Sequence, residues 1–108
     1  MTNNEASEII AKYMSYAIRR NGKIHKDDKS IEVIFTKSLD SLIPVWKKIA
    51  KDSSRCVDIN AFFSDESSCE FSVSYNGWFD ESSEWGTAQE SAAHATAKAI
   101  LALEKRNE

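Results

Sequence analysis

Apolar side chains recur at helical spacing along the first twenty residues, and they predict a helix over residues 4–20. Thr2 or Asn4 is available as its N-terminal cap, and Asn21-Gly22 provides a stop signal. We expect the apolar stripe to pack in the core; its members are Ala6, Ile10, Tyr13, Met14, Ala17 and Ile18. The polar segment 23–30 is expected to be a loop.

A second helix is predicted from about Ser38 to Ala50, where the apolar residues again keep helical spacing. Pro44 interrupts this pattern because proline lacks an N–H and clashes with the preceding turn. The regular helix therefore either begins near Ser41 or kinks at Pro44. Before it, Ile31–Phe35 forms either a short strand or an extended approach to the helix.

Two strands with one buried face are indicated by strict alternation over residues 57–63 and 69–75. Asn76-Gly77 is a hairpin signal, but a two-residue turn there would place Asp80 opposite Val73 on the core face. We therefore expect one of two arrangements. Either the strand continues through Asn76-Gly77 as a bulge and turns at residues 80–83, or the third strand is irregular and pairs mainly over residues 84–87.

The last predicted helix runs from about Gln89 to Lys105, with Thr87 as its cap and Glu90 completing a capping box. Its inner face is small, which lets the helix lie close to a sheet; it comprises Ala92, Ala93, Thr96, Ala97, Ala99, Ile100 and Leu103. The predicted fold is thus a single α+β domain over residues 1–108, in the order α-α-β-β-β-α. It has an N-terminal helix at 4–20 and a core at 38–105.

Length and composition limit the possible classes of protein. A chain of 108 residues fits one domain, and 42% hydrophobic residues suffice for a core. No uncharged run is long enough to span a membrane, and Lys12 interrupts the first apolar stretch, so we expect neither a signal peptide nor a membrane partner. Cys56 and Cys69 would lie too far apart on paired strands for a disulfide, which favours a reducing, cytoplasmic compartment.

Charge is distributed unevenly along the chain. Residues 1–55 hold eleven Lys and Arg against seven Asp and Glu, whereas residues 56–104 hold only Lys98 against nine Asp and Glu. The second part would repel nucleic-acid phosphates, so direct nucleic-acid binding is not favoured. It would attract a basic partner, or else serve solubility alone.

The usual signatures of catalysis are missing from the sequence, and we predict that the protein is not an enzyme and needs no cofactor or metal. His25 and His94 have no Cys or His at metal-ligand spacing, and there is no phosphate loop or nucleophile elbow. His94 lies one helical turn from Glu90 and from Lys98, which predicts a surface ladder of charges.

The segment 77–86 combines three aromatic residues with three carboxylates, a composition typical of an interface anchor with a charged rim. Its predicted partner-binding residues are Trp78, Phe79, Asp80, Glu81, Glu84 and Trp85. The alternative is that the aromatic residues close one end of the core. A basic patch is the candidate nucleic-acid site; it comprises Lys47, Lys48, Lys51 and Arg55.

The order of elements over residues 38–105, ending in the alanine-rich segment 86–99, resembles a double-stranded-RNA-binding domain. In that family the last helix opens with a lysine pair that contacts phosphates across the major groove. Gln89 and Glu90 occupy those positions here, so the resemblance extends to topology but not to this chemistry.

A second resemblance is to small phage α/β/α-sandwich proteins, over about residues 35–103. It rests on Phe35-Thr36-Lys37-Ser38-Leu39 leading into a helix with Trp46, on the Gly77-Trp78 region, and on the alanine-rich helix after Thr87. The resemblance implies a phage or prophage accessory role in the cytoplasm of a bacterial host, a class that includes inhibitors of host defence.

Three functions remain open from the sequence. The first is protein binding, in which the acidic, aromatic segment docks on a host protein such as a nucleic-acid-binding defence complex, in the manner of an anti-CRISPR protein. The second is a small-ligand sponge that holds a nucleotide signal in a cleft or at the contact of a homodimer. The third is a degenerate duplex-RNA binder that uses the basic patch.

Overall fold

The computed structural model describes residues 1–26, 32–54, 56–63, 69–75, 80–85 and 87–106. Helix α1 spans Asn3–Met14 and is capped by Thr2, whose hydroxyl accepts from the Glu5 N–H at 3.1 Å. The Glu5 carboxylate accepts in turn from the Thr2 N–H, which completes a capping box. The predicted cap is confirmed.

The predicted extent of this helix, residues 4–20, is wrong at its C-terminal end. The helix stops at Ser15, which has a left-handed φ of 60°, and the N–H of Tyr16 donates to the Ala11 carbonyl at 2.9 Å. The reversal brings Tyr16 onto Phe35, and their rings stack with centroids 6.0 Å apart. Tyr16 and Phe35 are 19 positions apart in the sequence. The chain forms this contact where the local spacing predicts a further turn and a half of helix.

A short hairpin follows in the region predicted to be helix and loop. Strand β1 (Ala17–Ile18) pairs antiparallel with β2 (Ile24–His25), and Gly22 supplies the positive φ of 82° that the turn requires. Asn21-Gly22 therefore turns a hairpin and does not end a helix. Ile24 is buried, which ties the hairpin to the core.

Helix α2 spans Ile43–Ser53, and a 3-10 turn at Asp40–Leu42 leads into it. Pro44 lies in the first turn of α2, where its missing N–H leaves no hydrogen bond unmade. Of the two predicted alternatives, the later start of the helix is confirmed. Residues 32–34 are an extended approach that contacts β2 at one bridge, His25 to Glu32, and a turn begins at Phe35; Ile31 lies outside the described residues.

The main sheet consists of β3 (Val57–Phe63), β4 (Cys69–Tyr75) and β5 (Asp80–Trp85), antiparallel and in the order β3-β4-β5. The first two strands have the predicted bounds, and Phe63 pairs with Cys69 at the end of their ladder. Cys56 precedes β3 as a free, exposed thiol. Both arrangements predicted for the third strand are wrong, because β5 pairs regularly and begins with Asp80 opposite Ser74.

Helix α3 spans Ala88–Arg106 and packs on β4, on β5 and on α1. The predicted cap is confirmed, since the Thr87 hydroxyl accepts from the Glu90 N–H at 3.1 Å. The small inner face is buried as predicted, and every residue from Ser91 to Ala97 is buried as well. A helix with a sheet on one side and a helix on another has little surface left, which explains why its residues are small.

The result is the predicted α+β fold, with one unpredicted hairpin. Phe35, Leu42, Val45 and Ile49 join the buried side chains of α1, α3 and β4 in one core. Within the part of the chain that the structure describes, no helix is both long and apolar enough to cross a bilayer.

Candidate functional site

The predicted partner-binding segment lies at the third strand of the main sheet. Trp78 and Phe79 fall outside the described residues, and the structure describes the backbone of Asp80–Trp85 as β5. Strand alternation divides the remaining predicted residues between two faces. Asp80 and Glu84 pair with Ser74 and Glu70, whereas Glu81 and Trp85 pair with Val73 and Cys69.

One face of the sheet, here called the inner face, packs on the helices. Phe71 and Val73 are buried, and Val57 and Ile59 pack against the core beside them. The register aligns Ile59, Val73 and Glu81 in one cross-strand row. The backbone position of Glu81 therefore belongs to the inner face, as does that of Trp85.

The opposite face, here called the outer face, has polar residues at every position except Phe62. Asp58 and Asn60 of β3 are exposed, and Ser74 of β4 is half-buried. One cross-strand row on this face joins Asp58, Ser74 and Asp80, and another joins positions 62, 70 and 84. The register thus assigns four carboxylate positions to the outer face: Asp58, Glu70, Asp80 and Glu84.

No compensating positive charge is available in the sheet sequence, because residues 56–97 contain neither Lys nor Arg. Neighbouring strands lie about 4.8 Å apart, so Asp58 and Asp80, on the two outer strands of one row, are separated by roughly 10 Å between their backbones. At physiological salt the Debye length is about 8 Å, so the field of each exposed carboxylate reaches only the immediate surroundings of this face. The outer face is suited to contact a positively charged surface.

The basic patch predicted as an alternative is only partly available for phosphate. Lys47 and Lys51 are exposed on α2, and Arg55 lies outside the described residues. Lys48 instead binds Asp52, with 2.8 Å between Nζ and Oδ2, and its ammonium lies 4.2 Å from the centre of the Tyr13 ring.

The same cluster ties α1 to α2 through Tyr13, whose hydroxyl donates to Asp52. Hydrogen bonds from Lys48 and Tyr13 hold the pKa of Asp52 below its ordinary value. Burial, followed by the hydrogen bond and the charge of Asp52, raises the pKa of Tyr13. Lys48 therefore forms an ion pair with Asp52, and the two side chains are 39% and 34% exposed. Among the described residues, Lys47 and Lys51 are what remains of the predicted basic patch.

Clefts between the described residues include two that are large enough to hold a small molecule. The Tyr16 cleft, about 340 Å³, lies between the small hairpin and the start of α2; Tyr16, Val33 and Pro44 supply apolar surface, and Lys26, Glu32 and Asp40 supply charge. The Asn3 cleft, about 350 Å³, lies between the N-terminal ends of α1 and α3, where Asn3, Lys37 and Thr87 contribute to its lining.

A part-buried polar chain beside the Asn3 cleft is not indicated by the sequence. His94, predicted on a surface ladder, is 2% exposed, and its Nε2 lies 2.7 Å from Oδ1 of Asn3. Asn3 in turn donates from Nδ2 to Glu90 at 2.8 Å. Since 91 positions separate His94 from Asn3, no local pattern indicates the contact. The one indication in the sequence is that small residues occur on more than one side of α3, as expected for a helix that a second element covers on the side of His94.

The described residues contain no group of three or more His, Cys, Asp or Glu side chains close enough to hold a metal ion. Comparison with known proteins does not add a function, because no family model, curated protein or solved structure matches this chain.

Proposed function

We propose that this protein acts by binding a basic protein surface with the outer face of its main sheet. The observation that carries the proposal is the cross-strand row Asp58–Ser74–Asp80, in which an exposed carboxylate of β3 shares a face with the first position of β5. The proposed interface thus includes positions on β3 and β4 in addition to the segment predicted from the sequence.

Charge supports a protein partner over a nucleic acid. The outer face has four carboxylate positions and no basic one, so it would repel phosphate and attract lysine and arginine. Complementary charge of this kind raises the rate of association and selects among partners. Proteins that bind nucleic acids carry such basic surfaces, and an acidic protein competes for them by occupying the place of the phosphates.

The area of the sheet alone is too small for a stable complex. Three strands of six or seven residues cover roughly 15 by 20 Å, well below the ~800 Å² that each partner contributes to a standard interface. We therefore include the aromatic residues Trp78 and Phe79, which immediately precede β5 in the sequence, as apolar anchors. With the phage resemblance, this makes the protein a non-enzymatic phage or prophage accessory protein that inhibits a host defence complex.

The test uses two variants with the same change in net charge. Asp58→Lys with Asp80→Lys alters the outer face, and Glu8→Lys with Glu104→Lys alters exposed positions on α1 and α3. Proteins captured from host lysate by the tagged wild type are identified by mass spectrometry, and the purified partner is then titrated against all three proteins. We expect the sheet variant to bind at least tenfold more weakly and the helix variant to bind like the wild type.

Salt provides the second readout. Binding of the wild type should weaken steadily between low and physiological ionic strength, because the attraction between exposed charges is screened. Equal affinity of both charge variants, together with binding that is independent of salt, would refute the proposal.

The Tyr16 cleft supports a second candidate, a small-ligand sponge. An aromatic ring beside charged groups in a space of about 340 Å³ is suited to a planar, polar molecule such as a nucleotide signal. A ligand bound only by the folded state raises the midpoint of thermal unfolding, so cyclic nucleotides and ADP-ribose derivatives are screened by thermal shift. A shift that Tyr16→Ala abolishes would favour this function, and no shift with any of these compounds would exclude it.

A further inference from the structure

Strand β5 is an edge of the main sheet, since the strand order is β3-β4-β5. Its described neighbours are β4, which pairs with one side, and α3, which covers the inner face. The other edge strand, β3, packs beside α2 in addition to β4. Within the described part of the chain, the side of β5 that faces away from β4 pairs with no strand.

An unpaired edge presents a row of backbone donors and acceptors. In an antiparallel pair, alternate residues direct their N–H and C=O groups to the partner strand and the others direct them away. Six consecutive residues of β5 pair with β4, so half of them present N–H and C=O groups on the outward side. Such an edge accepts an added strand, the mode by which several domains bind extended peptides.

The sequence of β5 determines which strand can be added. Three of its six residues are carboxylates, at positions 80, 81 and 84. A second copy of β5 pairing with the first would bring like charges together across the new ladder, which is destabilising. An extended segment with lysine or arginine at alternate positions would instead form opposite-charge pairs.

We propose that β5 binds an extended, basic segment of the partner by antiparallel strand addition, which makes the sheet four-stranded. This inference rests on the proposed function, because it specifies how the acidic sheet recognises its basic partner. The added strand would gain backbone hydrogen bonds from the edge of β5 and charge pairs from its carboxylates. The rest of the partner's basic surface would then lie across the outer face, beside Asp58.

The test uses two probes with equal charge, namely an eight-residue peptide of alternating lysine and threonine and the same peptide methylated at every peptide nitrogen. Methylation removes the donors that a β ladder needs and keeps the lysines. We expect the methylated peptide to bind the full-length protein at least about tenfold more weakly, since several net hydrogen bonds are lost.

The outcomes separate the two proposals. Equal affinity for both peptides, with loss of affinity in the Asp58→Lys, Asp80→Lys variant, would overturn strand addition and leave the acidic surface in place. Failure of both peptides to bind at low salt would overturn strand addition, and the lysate partner would then decide the proposed function through the charge variants.

Two proline variants test the same edge from the protein side. Ser82 and Ser83 are adjacent in β5, so one directs its N–H to β4 and the other directs it outward. Of Ser82→Pro and Ser83→Pro, the variant with the lower thermal midpoint identifies the position bonded to β4. The other variant should keep its fold, lose at least fivefold in affinity for the unmethylated peptide, and bind the methylated peptide like the wild type. Unchanged affinity in the folded variant would contradict the proposal.

Discussion

Nε2 of His94 lies 2.7 Å from Oδ1 of Asn3, a contact that joins the middle of α3 to the first residue of α1. The orientation of the Asn3 amide is fixed on its other side, where Nδ2 donates to the Glu90 carboxylate at 2.8 Å. Oδ1 is therefore an acceptor, and His94 must donate from Nε2. The neutral ring with its proton on Nε2 satisfies this arrangement, and α1 is tied to α3 by a directional, part-buried contact.

The ionisation of His94 should make stability depend on pH. Burial lowers the pKa of His94, with further contributions from the N-terminal ammonium and Lys98, while Glu90 opposes them. Because the folded pKa lies below the unfolded value of about 6.5, the unfolded chain binds the proton first as pH falls. The stabilisation is complete above that value and is lost as pH falls toward the folded pKa.

Urea unfolding of the wild type and of His94→Gln between pH 7.5 and 5 measures this effect. We expect the free energy of unfolding to decline less steeply with acidity in His94→Gln, because glutamine keeps a neutral donor and does not titrate. An unchanged slope in His94→Gln would contradict the prediction.

Asn3→Ala should destabilise the protein by about 1–3 kcal/mol, because it leaves the buried His94 donor without this acceptor and also removes the bond to Glu90. Asn4, its neighbour on α1, is exposed, and Asn4→Ala should change stability by at most about 0.5 kcal/mol. Chemical denaturation at pH 7.5 compares the two. Equal effects would mean that the polar chain contributes nothing beyond helix propensity.

Thr96 provides a second cross-link that can be tested separately. Its hydroxyl accepts from the indole N–H of Trp46 at 2.9 Å and donates to the Ala92 carbonyl at 2.7 Å. Thr96→Val keeps the shape and removes both bonds, so we expect a loss of about 1–2 kcal/mol. In a double-mutant cycle with Trp46→Phe, the two losses should not add, since each removes the same bond. Strict additivity would show that the hydrogen bond between Trp46 and Thr96 does not stabilise the protein.

The sequence predicts the fold best where the apolar period is unambiguous. Residues 57–63 and 69–75 alternate strictly, and both strands have the predicted bounds. Strand β5 could not be assigned this way, because Asp80–Glu84 contains no apolar residue to show a period. Its register follows from pairing with β4, and only that register places Asp80 in the same row as Asp58.

Contacts between distant residues explain the remaining differences. Helical spacing continues past Met14 to Ile18, yet the chain turns at Ser15 because stacking of Tyr16 on Phe35 and burial of Ile24 favour a hairpin. His94 has charged neighbours four residues away on each side, which is typical of a surface position, whereas one of its partners, Asn3, lies on another helix. Local patterns contain no information on such partners.

The left-handed residues that end α1 and α2 give the last prediction. Ser15 and Ser54 adopt φ values of 60° and 57°, a conformation in which a side chain costs roughly 1–2 kcal/mol and glycine costs little. Each residue donates its N–H to carbonyls of the last helical turn, and glycine keeps these bonds. We therefore expect Ser15→Gly and Ser54→Gly each to stabilise the protein by up to about 1 kcal/mol, after the greater flexibility of glycine in the unfolded chain is subtracted. Thermal unfolding measures the gain, and Ser7→Gly within α1 is the control that should destabilise by about 0.5 kcal/mol. If the two terminal substitutions destabilise as Ser7→Gly does, Ser15 and Ser54 do not carry the strain of a left-handed conformation, and the prediction is contradicted.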